Sequence, residues 1–173
     1  MDSEELSCLL KRDKLIKEKF TNEIYCYDNL PSKLEKGKFY IFNTLSSKSD
    51  FKEPGHWMIF LFYSATNQLV FFDPFGNFPS KNFILPMLKS VDTNTSLFFN
   101  NVQLQNHHAT TCGQHVLAIA TLFSHNVDAY SILTKFYRVG SKTNSDIFKY
   151  DKIVNQFLQN YFGESRSITW DEF

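Results

Sequence analysis

Residues 56–74 run His56-Trp57-Met58-Ile59-Phe60-Leu61-Phe62-Tyr63, then Ser64 to Asn67, then Gln68-Leu69-Val70-Phe71-Phe72-Asp73-Pro74. The first segment is a near-continuous run of apolar, strand-forming residues, as expected of a central strand buried on both faces. Ser64 to Asn67 makes a tight turn, so the two segments predict a β-hairpin. Pro74 stops the second strand, because it has no N–H to give to a ladder. In such a hairpin the start of one strand lies beside the end of the other. His56 and Asp73 therefore meet at one sheet edge. A carboxylate placed there can orient the imidazole through its Nδ1–H.

The third chemical group follows at Thr111-Cys112-Gly113. The run Gly113-Gln114-His115-Val116-Leu117-Ala118-Ile119-Ala120 reads as the first turns of a buried helix, about 112–124. A cysteine at a helix N-terminus has its thiolate stabilised by the helix dipole and free N–H groups. Taken singly, a buried cysteine is usually an inert core thiol and His56 an ordinary strand-edge histidine. Taken together they are the parts of a cysteine-nucleophile hydrolase. His56 deprotonates Cys112, or holds it as a thiolate–imidazolium pair. The thiolate attacks a peptide carbonyl, His56 protonates the leaving amine, and water hydrolyses the thioester. The Cys112 backbone N–H and the Gln105 side-chain amide are the expected oxyanion donors. Gly113 is expected to relieve crowding where the substrate backbone passes.

The composition bounds the rest. The chain has 173 residues, is 43% hydrophobic and 17% aromatic, and has zero formal net charge. This suits a single domain spanning 1–173 with a sizeable core, and nothing in it suggests disorder. No apolar run is long enough to span a bilayer, and Met1-Asp2-Ser3-Glu4-Glu5 lacks an apolar signal region. Three irregularly spaced cysteines, Cys8, Cys26 and Cys112, point to a reducing compartment, with Cys8 and Cys26 structural. Between His56 and His125 the only charges are Asp73, Lys81, Lys89 and Asp92. That stretch must supply most of the core, so Asp73 needs a partner there. Neutral net charge argues against strong non-specific nucleic-acid binding.

Outside the hairpin, 3–20 is expected as one amphipathic helix carrying Lys11, Arg12, Lys14, Lys17 and Lys19. These charges read either as a solvated helix face or as a weak DNA phosphate contact. Phe39 to Asn43 reads as a strand and Asn82 to Ser90 as a short helix. Ser96 to Phe99 and Val102 to Leu104 read as strands. Helices are expected near 128–137 and 146–162, the second with a packing stripe of Ile147, Tyr150, Ile153, Val154, Phe157, Leu158 and Tyr161. A metal set of His107, His108, Cys112 and His115 has some zinc-like composition but lacks a CxxC arm. No metal and no required cofactor is expected. His107 and His108 more naturally line the loop beside the site, and His125 lies near a helix end.

Together the segments Ile41-Phe42-Asn43-Thr44, Gly55-His56-Trp57-Met58, Asp73-Pro74-Phe75-Gly76 and Gln105 through Gly113 resemble the adenovirus-type cysteine proteinases, adenain. Tyr27-Asp28 followed by Pro31 adds to the likeness, which runs from about residue 25 to 124. The active-site plan is shared with the Ulp/SENP desumoylating proteases, although the Gln-x6-Cys-Gly spacing is that of adenain. The resemblance implies an α+β fold with a mixed central sheet flanked by helices. It implies Cys112 as nucleophile, His56 as base and acid, Asp73 as orienting carboxylate, Gln105 in the oxyanion hole, and Trp57 packed beside the site. It further implies a viral maturation endopeptidase that cleaves capsid or core precursors at short glycine-containing motifs, in virions and infected-cell interiors. The alternatives are a protease of ubiquitin-like modifiers and a non-catalytic virion protein of the same fold. Three features depart from adenain. Asp73 stands where adenoviral enzymes usually have glutamate. The position of the cysteine that takes the activating peptide falls near Asn94, with no cysteine close by. The chain is neutral, whereas adenain is basic and uses DNA as a cofactor. Peptide or DNA activation is therefore not expected, and the chain reads as a monomer from a distant source such as a virophage or Polinton-like virus.

Overall fold

The computed structural model describes residues 1–49, 55–139 and 147–163. The first residue of the expected 146–162 helix lies outside the described residues. Five strands form one mixed sheet in the order β1-β2-β3-β4-β5: Phe20–Cys26, Phe39–Asn43, Trp57–Tyr63, Gln68–Phe72 and Ser96–Phe99. The centre is antiparallel, with β3 between β2 and β4, and each outer strand pairs in parallel. The expected hairpin is β3–β4, closed at Tyr63↔Gln68 with Asn67 in the left-handed region.

β3 is buried on both faces because a layer packs on each. Trp57, Ile59 and Leu61 join Phe39, Ile41, Val70 and Phe72 under the helices. Met58, Phe60 and Phe62 join Tyr40, Phe42, Leu69, Phe71 and Met87 on the other side. The helical layer is α1 (Ser3–Arg12), α2 (Lys14–Lys19), α4 (Cys112–Ser124) and α6 (Ile147–Gly163); α3 (Lys81–Lys89) supplies Met87 to the opposite face. Each wholly buried Phe contributes on the order of 2 kcal/mol, so the two-sided strand is the main anchor of the sheet. The α+β expectation therefore holds, and the cysteine helix begins and ends where the residue pattern puts it.

Three local expectations need correction, and one strand has no counterpart among them. The 3–20 helix is two helices. Asp13 takes extended backbone between them, and its side chain accepts from the Ile16 N–H to cap the second. The second gives way at Phe20 to β1, which the residue pattern does not reveal. β1 is a polar edge strand with Asn22 in the left-handed region and a register shift between Phe20 and Ile24. Val102 to Leu104 is not a strand: the N–H groups of Leu104 and Gln105 both donate to the Pro74 carbonyl, which folds the segment against the end of the hairpin. The expected 128–137 helix is a short α5 (Ala129–Ser131) running into a π-helical turn at Ile132–Phe136. That turn lets Tyr137 donate its N–H to the Ile132 carbonyl and buries the Tyr137 ring.

Candidate active site

His56 stands one residue before β3, and Phe75 lies in the turn three residues past β4, at the same end of the hairpin. The two rings stack at 4.5 Å, and Phe75 stacks in turn on His107 at 5.4 Å. This fixes the plane of the imidazole. The His56 backbone is tied to Thr44, donating to its hydroxyl and accepting from its N–H. His56 Nε2 then lies 2.5 Å from Asp73 Oδ1. The carboxylate thus reaches Nε2, whereas Nδ1–H was the nitrogen expected. With Nε2 committed to Asp73, the remaining ring nitrogen is Nδ1, nearer the backbone. There His56 is hydrogen-bonded to the Cys112 thiol.

Asp73 is only 3% exposed and is held rather than merely placed. Its Oδ1 also accepts from the Phe75 N–H at 2.8 Å. The buried Asn100 side chain accepts from the Asp73 N–H at 2.9 Å and donates to the Asp73 carbonyl at 2.7 Å and the Val102 carbonyl at 3.0 Å. Sequence reasoning does not single out Asn100, which falls between the segments expected as strands, 96–99 and 102–104. A buried Asn just beyond β5, parallel to β4, was the available clue.

The electrostatics follow from these contacts. Burial opposes charge on His56, but the bonds to Asp73 and Cys112 outweigh it and raise the imidazole from 6.5 to about 9. Burial also opposes ionisation of Cys112. The bond to His56, the backbone N–H groups of Trp57 and Gly113, and the imidazolium charge together bring the thiol below its ordinary 9.0. Both shifts favour the thiolate–imidazolium pair, the charge state a nucleophilic cysteine requires.

Gln105 is 1% exposed, in the loop that leads to the helix. Its Nε2 donates to the Ala109 carbonyl at 2.6 Å, which leaves one amide proton uncommitted by that bond. Trp57 packs beside the site, and its ring closes on Gly113. A Cβ built on Gly113 would lie 3.1 Å from Met1 Cβ and 3.3 Å from Trp57 Cδ1. The crowding at Gly113 therefore comes from the chain's own Met1 and Trp57. The four zinc candidates do not converge. His107 and His108 are exposed on the loop, while His115 is wholly buried between Tyr137 and Asp151. His125 caps the C-terminal end of α4 and meets the Tyr161 hydroxyl. Lys11, Arg12, Lys14 and Lys17 are exposed, divided between α1 and α2.

No protein-family model and no curated protein matches the sequence. Solved structures do. The crystal structure of an ASFV protease is similar over 86% of this chain and 66% of that one, with a TM-score of 0.51 at 12% identity. The SUMO protease Ulp1 with its catalytic cysteine oxidised to a sulfenic acid matches over 70% of this chain and 53% of that one, with a TM-score of 0.34 at 12% identity. The C-terminal Ulp1 protease domain in complex with Smt3, the yeast ortholog of SUMO, matches over 73% and 54%, with a TM-score of 0.36 at 10% identity. The chain spans about half to two thirds of the length of these structures. It shares the fold of the ASFV protease.

Proposed function

We propose that this chain is a cysteine endopeptidase of viral maturation. Cys112 is the nucleophile, His56 its base and then the acid for the leaving amine, and Asp73 the group that holds and charges His56. Gln105 and the backbone N–H at the start of α4 receive the oxyanion. The observation that carries this reading is the His56 imidazole bonded on one side to Asp73 and on the other to Cys112, with the imidazole raised to about 9 and the thiol lowered. Burial without those partners would push both groups the opposite way. The substrates in this reading are capsid or core precursor proteins cut at short glycine-containing motifs, in virions and infected cells. No peptide or DNA activator is part of it.

The test is co-expression with candidate precursor proteins and turnover of glycine-rich precursor peptides beside a ubiquitin-like C-terminal fluorogenic probe. Cys112→Ala is expected to lower turnover by about 10⁴-fold or more. Cys112 is expected to be alkylated by iodoacetamide at neutral pH faster than Cys26, whose thiol burial pushes up. Equal alkylation rates, or processing that survives in Cys112→Ala, would sink the proposal. Turnover of the ubiquitin-like probe alone would replace the viral substrate class with modifier removal.

A further inference from the structure

The loop from Gln105 to Thr111 carries an oxyanion donor at one end and the start of the nucleophile helix at the other. It also holds an unfavourable feature. Gln105 Oε1 is buried and has no hydrogen-bond partner among the described residues. A buried amide oxygen left unpaired favours any movement that lets it reach water or a donor. Gln105 is held by its N–H on the Pro74 carbonyl and its Nε2 on the Ala109 carbonyl, and a further contact from outside the loop ties both of its ends.

Asp151 on α6 makes that contact. Its Oδ2 accepts from the Asn106 N–H at 3.3 Å, and its Oδ1 accepts from the Thr111 hydroxyl. The residue next to Gln105 and the residue next to Cys112 are thus tied to one carboxylate. Behind it stands His115, wholly buried one turn into α4. His115 Nε2 lies 3.0 Å from Asp151 Oδ1 and Nδ1 lies 2.9 Å from the Tyr137 hydroxyl. Burial outweighs the neighbouring carboxylate and lowers the His115 pKa, which favours the neutral ring. One proton arrangement then satisfies the chain: Tyr137 O–H donates to Nδ1, and Nε2–H donates to Asp151. Asp151 is fixed on two sides by α4 and by the packing of Tyr150, Val154, Phe157 and Leu158 in the helical core.

We propose that Asp151 is a positioning residue: by clamping Asn106 and Thr111 at the two ends of the loop, braced by His115, it sets Gln105 against the Cys112 thiol. The inference rests on the protease reading. It separates formation of the thiolate, which depends on His56 and Asp73, from placement of the oxyanion donor, which depends on Asp151.

The experiment measures both in the same proteins. Iodoacetamide alkylation of Cys112 across pH reports the thiolate–imidazolium pair and needs no oxyanion donor. Turnover of an N-acylglycine p-nitrophenyl ester needs both. For Asp151→Asn the expected result is a kcat loss of about 10- to 100-fold, part of the effect of deleting an oxyanion donor outright. KM and the alkylation–pH profile should stay within about threefold of wild type. Thr111→Val is expected to lose kcat in the same manner and Thr111→Ser to restore it, which keeps the test decisive if Asp151→Asn folds poorly. Unchanged kcat in a folded Asp151→Asn or in Thr111→Val overturns the clamp. So does a fall in alkylation that parallels kcat, since that reports general loosening of the site. A wild-type protein with neither rapid alkylation nor ester turnover would instead count against the protease reading itself.

Discussion

Asp73→Asn tests the electrostatic argument most directly. The substitution keeps the shape of the side chain and an oxygen able to accept from the Phe75 N–H, but removes the negative charge beside His56 Nε2. Raising the imidazole from 6.5 to about 9 corresponds to about 3 kcal/mol of preference for its protonated form. His56 is 17% exposed at its side chain, so solvent screens little of this. The preference is the remainder after burial, which works against it, and Asp73 and Cys112 share the favourable part. Removing the Asp73 charge is expected to cost about 1.5–3 kcal/mol, which lowers kcat/KM at neutral pH by about 10- to 100-fold. The sign in pH is fixed. A raised imidazole pKa contributes fully below 6.5 and is lost as pH rises through about 9. Wild-type activity should therefore fall on the alkaline side near 9, and on the acid side as the depressed thiol protonates. In Asp73→Asn the alkaline fall should move down toward 7. The assay is kcat/KM and iodoacetamide alkylation of Cys112 from pH 5 to 10. An alkaline limb that stays near 9 in the variant would refute the assignment of Asp73 as the group that charges His56.

Asn100→Ala leaves the Asp73 N–H and carbonyl without their side-chain partners in a buried place. The expected loss is about 2–4 kcal/mol, read as a lower urea midpoint, together with a downward shift of the alkaline activity limb; a variant as stable as wild type would remove Asn100 from the site's support. Gly55→Ala would put a Cβ 2.2 Å from Asn43 Oδ1, the acceptor of the Leu45 N–H. It is expected to cost about 1–3 kcal/mol and to lower kcat/KM, because the displaced segment includes Thr44, which holds the His56 backbone. The double variant with Asn43→Ala should regain part of the stability, and no recovery would locate the strain elsewhere.

The legible parts of the chain are those whose geometry the covalent connection nearly dictates. Trp57 to Pro74 is one hairpin, so its register puts His56 near Asp73 with few alternatives. Cys112 starts an apolar helix, which must bury itself and does so on the sheet. β1 escaped because nothing in Thr21-Asn22-Glu23 alternates, and because it pairs in parallel with β2 across an edge the residue pattern does not encode. The nitrogen facing Asp73 escaped because it depends on how the imidazole is turned among its contacts with Asp73 and Phe75, and Phe75 lies in the turn three positions past β4. Asp151 was hidden more thoroughly. It sits on an amphipathic helix 39 residues after Cys112, where a partly exposed aspartate is ordinary, and only the packing of α6 against α4 brings it to Thr111.

That packing has a consequence at the nucleophile. Thr111 is the N-cap residue of α4, a position where a Thr hydroxyl normally accepts from the first free N–H groups of its helix. Here it makes no such bond, and its hydroxyl donates to Asp151 instead. Losing a side-chain cap typically destabilises a helix by about 1 kcal/mol, so α4 leaves its N-terminal donors open at a cost in stability. The Gly113 N–H is directed at the Cys112 sulfur and the Trp57 N–H joins it from β3. An accepting cap at position 111 would compete for these donors and set a lone pair beside the thiolate. In the proposed protease Asp151 therefore acts twice: it holds the loop, and it draws the Thr111 hydroxyl away from the helix end, which keeps the donors and the dipole there for the sulfur and the oxyanion of that reaction.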